Sequence, residues 1–223
     1  MTVGISMKLV PAPFLFRFTL PVERHDQLPR SQAPLLKLPV SAQLPFPSAL
    51  ESDPHFARMS LAWNPHGLAI EVTVEGKQKP GYCNPEAVST SDAVLIWLDT
   101  RDTQNQHRAS RFCHHFVAMP TGEGETGMDP VFRQLPVPRA REEAPDGDPE
   151  ALLAEADVSK TGYRLSLWFP RESLHGFEPS PGSRLGFYLV VQDVERGRQT
   201  LTVSEEFPFD SDPSQWASLE LKT

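Results

Sequence analysis

The sequence predicts an all-β chain, an antiparallel two-sheet β-sandwich of jelly-roll type with about ten strands. Three observations carry this. Several runs of four to nine residues are apolar at every second position, as in Leu68, Ile70, Val72 and Val74, the period of a strand with one buried face. Turn residues punctuate the chain between those runs, and no stretch has the three-and-four spacing of an amphipathic helix. The 23 prolines among 223 residues disfavour long helices and suit short strands joined by rigid turns.

In chain order, residues 14–20 read as a first strand. Residues 21–54 are studded with proline, hold one short apolar run at 35–40, and read as a segment wrapping a sandwich edge, where proline discourages unwanted pairing. Runs at 57–63 and 68–75 flank Asn64, Pro65, His66 and Gly67 and read as a hairpin. Two further strands, 92–99 and 111–119, are joined by the polar loop 100–110. The stretch 121–149, rich in Gly, Pro and acids, reads as a long surface loop broken at most by a short strand near 131–135. A hairpin follows at 151–157 and 163–169, then a pair at 185–194 and 200–203, and 216–221 closes the order. One helical turn is expected at 171–174, where Pro170 suits a helix start. Residues 1–56 are thus the first strand and wrapping segment of one domain, and 57–223 its sandwich core.

The formal charge of −8 argues against nucleic acid or an anionic membrane as partner, since both select basic surfaces. No apolar stretch is long enough to cross a bilayer. Pro11, Pro13 and Arg17 interrupt what would be the core of a secretory signal, so the sequence reads as soluble and cytoplasmic. It contains no G-x-S-x-G elbow, H-E-x-x-H helix, P-loop or dinucleotide fingerprint, and the chain is not expected to be an enzyme.

Three stretches in order, LAWNPHGLAIEVTV (61–74), SDAVLIWLDTRD (91–102) and TGYRLSLWFPRESLHGFEPSPGSRLGFYLVVQD (161–193), with DPSQW (212–216) after them, resemble the family 9 carbohydrate-binding-module-like (DOMON-like) β-sandwich group. The resemblance spans roughly residues 57–221. It implies a binding module rather than a catalyst, with ring-stacking aromatics for a sugar and calcium bracing the loops. Relatives that bind haem belong to the same group.

Strand parity places the candidate ligand residues. With Leu165, Leu167 and Phe169 inward, Arg164 and Trp168 face away; with Val94, Ile96 and Leu98 inward, Trp97 faces away; in 185–194, Tyr188 does. Trp97, Trp168 and Tyr188 are therefore expected to share an outer face and stack on a carbohydrate, with Arg111, Arg164 and His115 as polar partners. The opposing expectation is that another segment covers this face and makes it a second core. A metal is the rival ligand: Cys113 and His115 fall two residues apart on one strand face, and Cys83 or His107 would complete a zinc site. Haem would draw on Met119, Met128, His114 and His115. Asp92, Asp99, Asp102 and Asp193 lie at strand ends, where they would either ligate calcium or cap turns. The third role open to such a chain is a structural or protein-interaction domain.

Overall fold

A computed structural model describes residues 12–51 and 55–223. It is all-β, with helical character confined to single 3-10 turns among the described residues. The strands are β1 (Thr19–Arg24), β2 (Gln43–Leu44), β3 (Ala57–Asn64), β4 (Gly67–Glu75), β5 (Ala93–Asp99), β6 (Cys113–Glu123), β7 (Asp129–Leu135), β8 (Leu153–Ser159), β9 (Gly162–Pro170), β10 (Arg184–Asp193), β11 (Gly197–Thr200) and β12 (Ala217–Leu221).

They form one hydrogen-bonded path, β7-β6-β5-β10-β12-β1-β3-β4-β9-β8, with β11 on β10 and β2 on β3. The expectation of two separate, wholly antiparallel sheets is corrected at β1. Its first four residues pair in parallel with β12, and Glu23 and Arg24 pair in parallel with β3. One strand thereby joins the β12-side half to the β3-side half. The two ends of the path, β7 and β8, also lie against each other, so the sheet nearly closes on itself.

The alternation along each strand decides which side chains enter the core. In β4 and β9, the cross-strand partners Leu68–Phe169, Ile70–Leu167 and Val72–Leu165 point inward. They meet Val94, Ile96 and Leu98 of β5 and Phe187, Leu189 and Val191 of β10 in one apolar cluster. Edge-to-face contacts tie the halves together, with Phe169 of β9 at 5.0 Å from Phe116 and 4.9 Å from Phe132. Burying this many large side chains, at about 1.5–3 kcal/mol each, outweighs the modest strand propensities.

Three local expectations shift. The run 14–20 is not a strand throughout: a 3-10 turn occupies Ala12–Leu15 and pairing starts at Thr19, because no neighbouring strand is there to pair with Phe14–Phe16. The second arm of the last hairpin is Gly197–Thr200, in register with Asp193–Val190, which frees residues 201–216 to cross the outside of β10. The proline-rich segment does more than guard an edge. Leu28 and Leu36 lie on Ala62, Ala69 and Trp168, covering the outer face of β3, β4 and β9.

Candidate functional site

Strand register brings three of the expected ligand residues together. Trp97 sits opposite Tyr188 on β10 and opposite His115 on β6, all on the outer face of the β12-side half. The Trp97 and His115 rings stack at 4.5 Å with 2° between planes, and Tyr188 stands edge-on to Trp97 at 6.1 Å.

That face is not bare. The segment 201–216 crosses it, burying Leu201, Val203, Phe209 and Trp216. Phe209 stacks on Tyr188 at 4.5 Å and 15° and meets Trp97 edge-on at 5.7 Å. The Tyr188 hydroxyl donates to the carbonyl of Val203, and the Trp216 indole N–H donates to the carbonyl of Phe209 at 2.7 Å. Trp97 is 2% exposed and Tyr188 is fully buried. The cover over Trp97 and Tyr188 is thus residues 201–216, while Leu135, Pro136 and Pro138 flank His115.

Beside this strap opens a pocket of about 560 Å³ whose floor is Leu95, Trp97 and His115. Gln192, Arg198, Glu206 and Asp210 line its polar side, and Leu135, Pro138 and Phe207 its apolar side. Two buried ring atoms of the floor residues have no hydrogen-bond partner, Trp97 Nε1 and His115 Nε2. His115 Nδ1 lies 3.2 Å from the carbonyl of Pro136, which assigns the proton to Nδ1 and leaves Nε2 as an acceptor. Burial lowers the His115 pKa against the opposing contact with Pro136 and the charge of Asp210, so the ring is neutral near pH 7. Trp97 and His115 thus carry one unmet buried donor and one unmet buried acceptor, each a cost of about 1–3 kcal/mol while unpaired.

The other expected ligand residues lie elsewhere. Trp168 faces outward from β9 but in the other half of the path, packed under Leu28 and Leu36. It does not share a face with Trp97. Arg164 is exposed on that same half and pairs with Asp157 at 3.3 Å; Arg111 is exposed and pairs with Glu142 at 2.5 Å. Neither lines the pocket.

The zinc set is dispersed. Cys83 lies by the carbonyl of Asp92 at one end of β5, with Sγ 3.5 Å away, and Cys113 pairs with Asp99 at the other end. Both thiols are free. Burial pushes the Cys113 thiol up to about 12, helped by the charge of Asp99, which opposes formation of the thiolate that a metal requires. His107 is on the surface, its Nδ1 shared between Asp212 at 3.1 Å and Ser214 at 3.2 Å. Because both partners meet the same nitrogen, this trio is not a nucleophile relay. Among the described residues no three His, Cys, Asp or Glu side chains form a metal-binding group.

The haem candidates do not converge either. His114 points into the core beside Phe116, His115 points outward, Met119 is buried and Met128 is 65% exposed. Of the four aspartates, Asp99 accepts from the N–H groups of Arg101 at 3.0 Å and Thr103 at 2.6 Å, and Asp102 from the Ser218 hydroxyl at 2.9 Å. Asp99 thus caps the turn after β5, whereas Asp102 bonds a distant side chain on β12. Asp92 and Asp193 do hold a cation, but it is Lys77: its ammonium is 2.8 Å from Asp92 Oδ2 and also bonds Asp193 Oδ2, with all three side chains buried. Sequence reasoning passed over Lys77 and the strap residues Phe209 and Asp210; the one signal was the aromatic and proline run Phe207, Pro208, Phe209.

No protein-family model matches the sequence, nor does any curated protein. Solved structures are similar in fold. A family 9 carbohydrate-binding module from Caldicellulosiruptor kristjanssonii in complex with cellotriose superposes with a TM-score of 0.60 at 14% identity, covering 92% of this chain and 93% of that one. The module in complex with glucose gives 0.60 at 13% identity over 92% and 95%. A protein from Bacteroides uniformis gives 0.56 at 9% identity over 93% and 100%. At such identities the likeness is one of fold.

Proposed function

We propose that the chain is a non-catalytic carbohydrate-binding module whose sugar lies in the pocket beside Trp97 and His115. In this reading the folded path acts as two packed sheets of one domain, with the segment up to residue 56 belonging to it. The observation that carries the proposal is the pair of unpartnered ring atoms, Trp97 Nε1–H and His115 Nε2, on residues that floor a pocket of about 560 Å³. A sugar hydroxyl both donates and accepts, so in this reading a slight rotation of the two buried rings toward the pocket lets sugar hydroxyls meet both needs. Gln192, Arg198, Glu206 and Asp210 are planar groups suited to bonding neighbouring hydroxyls, and Leu135, Pro138 and Phe207 supply apolar contact for a sugar face. The volume lies within the range of about 300–1,000 Å³ usual for small-ligand sites. The fold shared with modules solved with glucose and cellotriose supports the class of ligand.

Binding here works through edges rather than through a broad stacking platform, since His115 occupies one face of Trp97 and Phe209 stands over Tyr188. The test is titration calorimetry with glucose, mannose, xylose and galactose, each as monosaccharide and linear trisaccharide. At least one should bind saturably, and Trp97→Phe or His115→Phe, which keep a ring but remove the polar atom, should weaken it about tenfold at a temperature where circular dichroism shows the variant fully folded. No saturable binding by any of these sugars, or unchanged affinity in both variants, would overturn the proposal.

A further inference from the structure

A second pocket, of about 300 Å³, adjoins the first on the far side of the strap and is walled by Phe14, Phe16, Gln104, Asn105, His107 and Gln215, with Arg17 and Trp216 beside them. Two of its aromatic groups are not core residues. Phe14 is 45% and Phe16 60% exposed, so both present apolar surface to water next to a concave site. Its polar groups are the carboxamides of Gln104, Asn105 and Gln215, the Arg17 guanidinium, the His107 imidazole and the hydroxyls of Thr202 and Ser214, and no carboxylate lines it. Two of the polar side chains are held in place. The Arg17 guanidinium donates to Gln104 Oε1 at 2.8 Å, and His107 is anchored through Nδ1 by Asp212 and Ser214, leaving Nε2 uncommitted. Ring faces among carboxamides, hydroxyls and a guanidinium offer both the apolar contact and the donors and acceptors that a polyhydroxylated ligand needs.

The two pockets share a wall. Phe207 lines the first, Phe14 lines the second, and their rings stack at 4.6 Å and 25°. We infer that the second pocket is a further sugar subsite, and that the ligand is an oligosaccharide crossing the Phe14–Phe207 pair rather than a single sugar. This rests on the carbohydrate reading of the first pocket and extends it to a chain of residues.

Phe16, Asn105 and His107 are all exposed, so their replacement leaves the core untouched. The experiment titrates wild type, Phe16→Ala and Asn105→Ala/His107→Ala with the monosaccharide that binds and with its linear trisaccharide. The trisaccharide should bind about tenfold more tightly to wild type. Both variants should lose that advantage while keeping wild-type affinity for the monosaccharide. Equal affinity for the two sugars in wild type, or a trisaccharide advantage that survives in both variants, overturns the second subsite and leaves the first standing. Absence of binding by every monosaccharide and trisaccharide sinks both together. Weakening of the monosaccharide in Phe16→Ala would also overturn the inference, because the second pocket would then be part of the first.

Discussion

Replacing Lys77 by Met should be among the most damaging single changes in this chain. Lys77 follows β4 in one half of the path, with its own N–H bonded to the carbonyl of Thr161, and its ammonium reaches Asp92 and Asp193 at the ends of strands in the other half. The carboxylates are otherwise occupied by backbone: Asp92 accepts from Val194 and Tyr82, Asp193 from Glu195 and Arg196. Burial works against the ammonium, and the bonds to Asp193 and Asp92 outweigh it, so the Lys77 pKa is raised. Its stabilising contribution is therefore complete at neutral pH and is lost only as pH climbs beyond the ordinary lysine range. Met fills the stem but leaves two carboxylates facing each other in a dry site, a loss of about 3–5 kcal/mol. At about 2–4 °C per kcal/mol for a chain of this size, the melting temperature should fall by roughly 6–20 °C, followed by circular dichroism at pH 8. One carboxyl in the variant must take a proton to relieve the repulsion, which raises its folded-state pKa and makes the deficit smaller at pH 5 than at pH 8. Adding Asp193→Asn, whose Oδ1 keeps both backbone bonds, should restore part of the loss, with a coupling of at least about 1 kcal/mol. A melting temperature within about 2 °C of wild type, or strict additivity of the two changes, would refute the clamp.

Stability should fall between pH 7.5 and 5.5. Burial depresses the pKa of His114 and His115, so the unfolded chain takes up protons in this window that the folded chain does not, with a slope of up to about 2.7 kcal/mol per pH unit for two sites. Urea titrations across the window check this, and a flat profile, or one unaltered in His114→Gln/His115→Gln, would contradict it. Trp168→Ala should cost about 3–5 kcal/mol by emptying the space under Leu28 and Leu36, and should speed proteolysis within residues 25–38; undiminished stability would mean that the proline-rich segment is not docked. Cys113 should resist alkylation in the native protein and react fully in denaturant, since burial keeps its thiol protonated; rapid native labelling, read by mass spectrometry, would count against the placement of β6.

Much of the strand order was legible because period-two alternation is a local property. Leu68 to Val74 and Leu165 to Phe169 identify their inward faces without knowledge of their partners. The same parity set Trp97, Tyr188 and Trp168 on the opposite face from their strands' inward residues, yet all three are buried. It could not say what lies over them, because the cover comes from segments distant in sequence: residues 201–216 over Trp97 and Tyr188, residues 25–38 over Trp168. Nor could it tell that two of these aromatics lie on one half and the third on the other. The parallel pairing of β1 with both β12 and β3 was hidden for the same reason. Lys77 stands in an ordinary polar stretch, EGKQKP, and nothing local separates it from Lys79. Asp92 and Asp193 did announce a site for positive charge, and the cation proved to be a side chain of the chain itself.

The placement of β12 governs how the molecule can be made. It follows both β1 and β10 in sequence, yet it sits between them in the middle of the path. Until it is synthesised, β10 and β1 present unpaired backbone to each other's absent partner, and the two halves have no hydrogen-bonded connection through that side. Completion of the sheet thus waits for a contact between residues about 200 positions apart, the kind of non-local pairing that slows folding to milliseconds or seconds. During that interval the nascent chain carries open strand edges, so its yield in the cell should depend on how quickly β12 arrives.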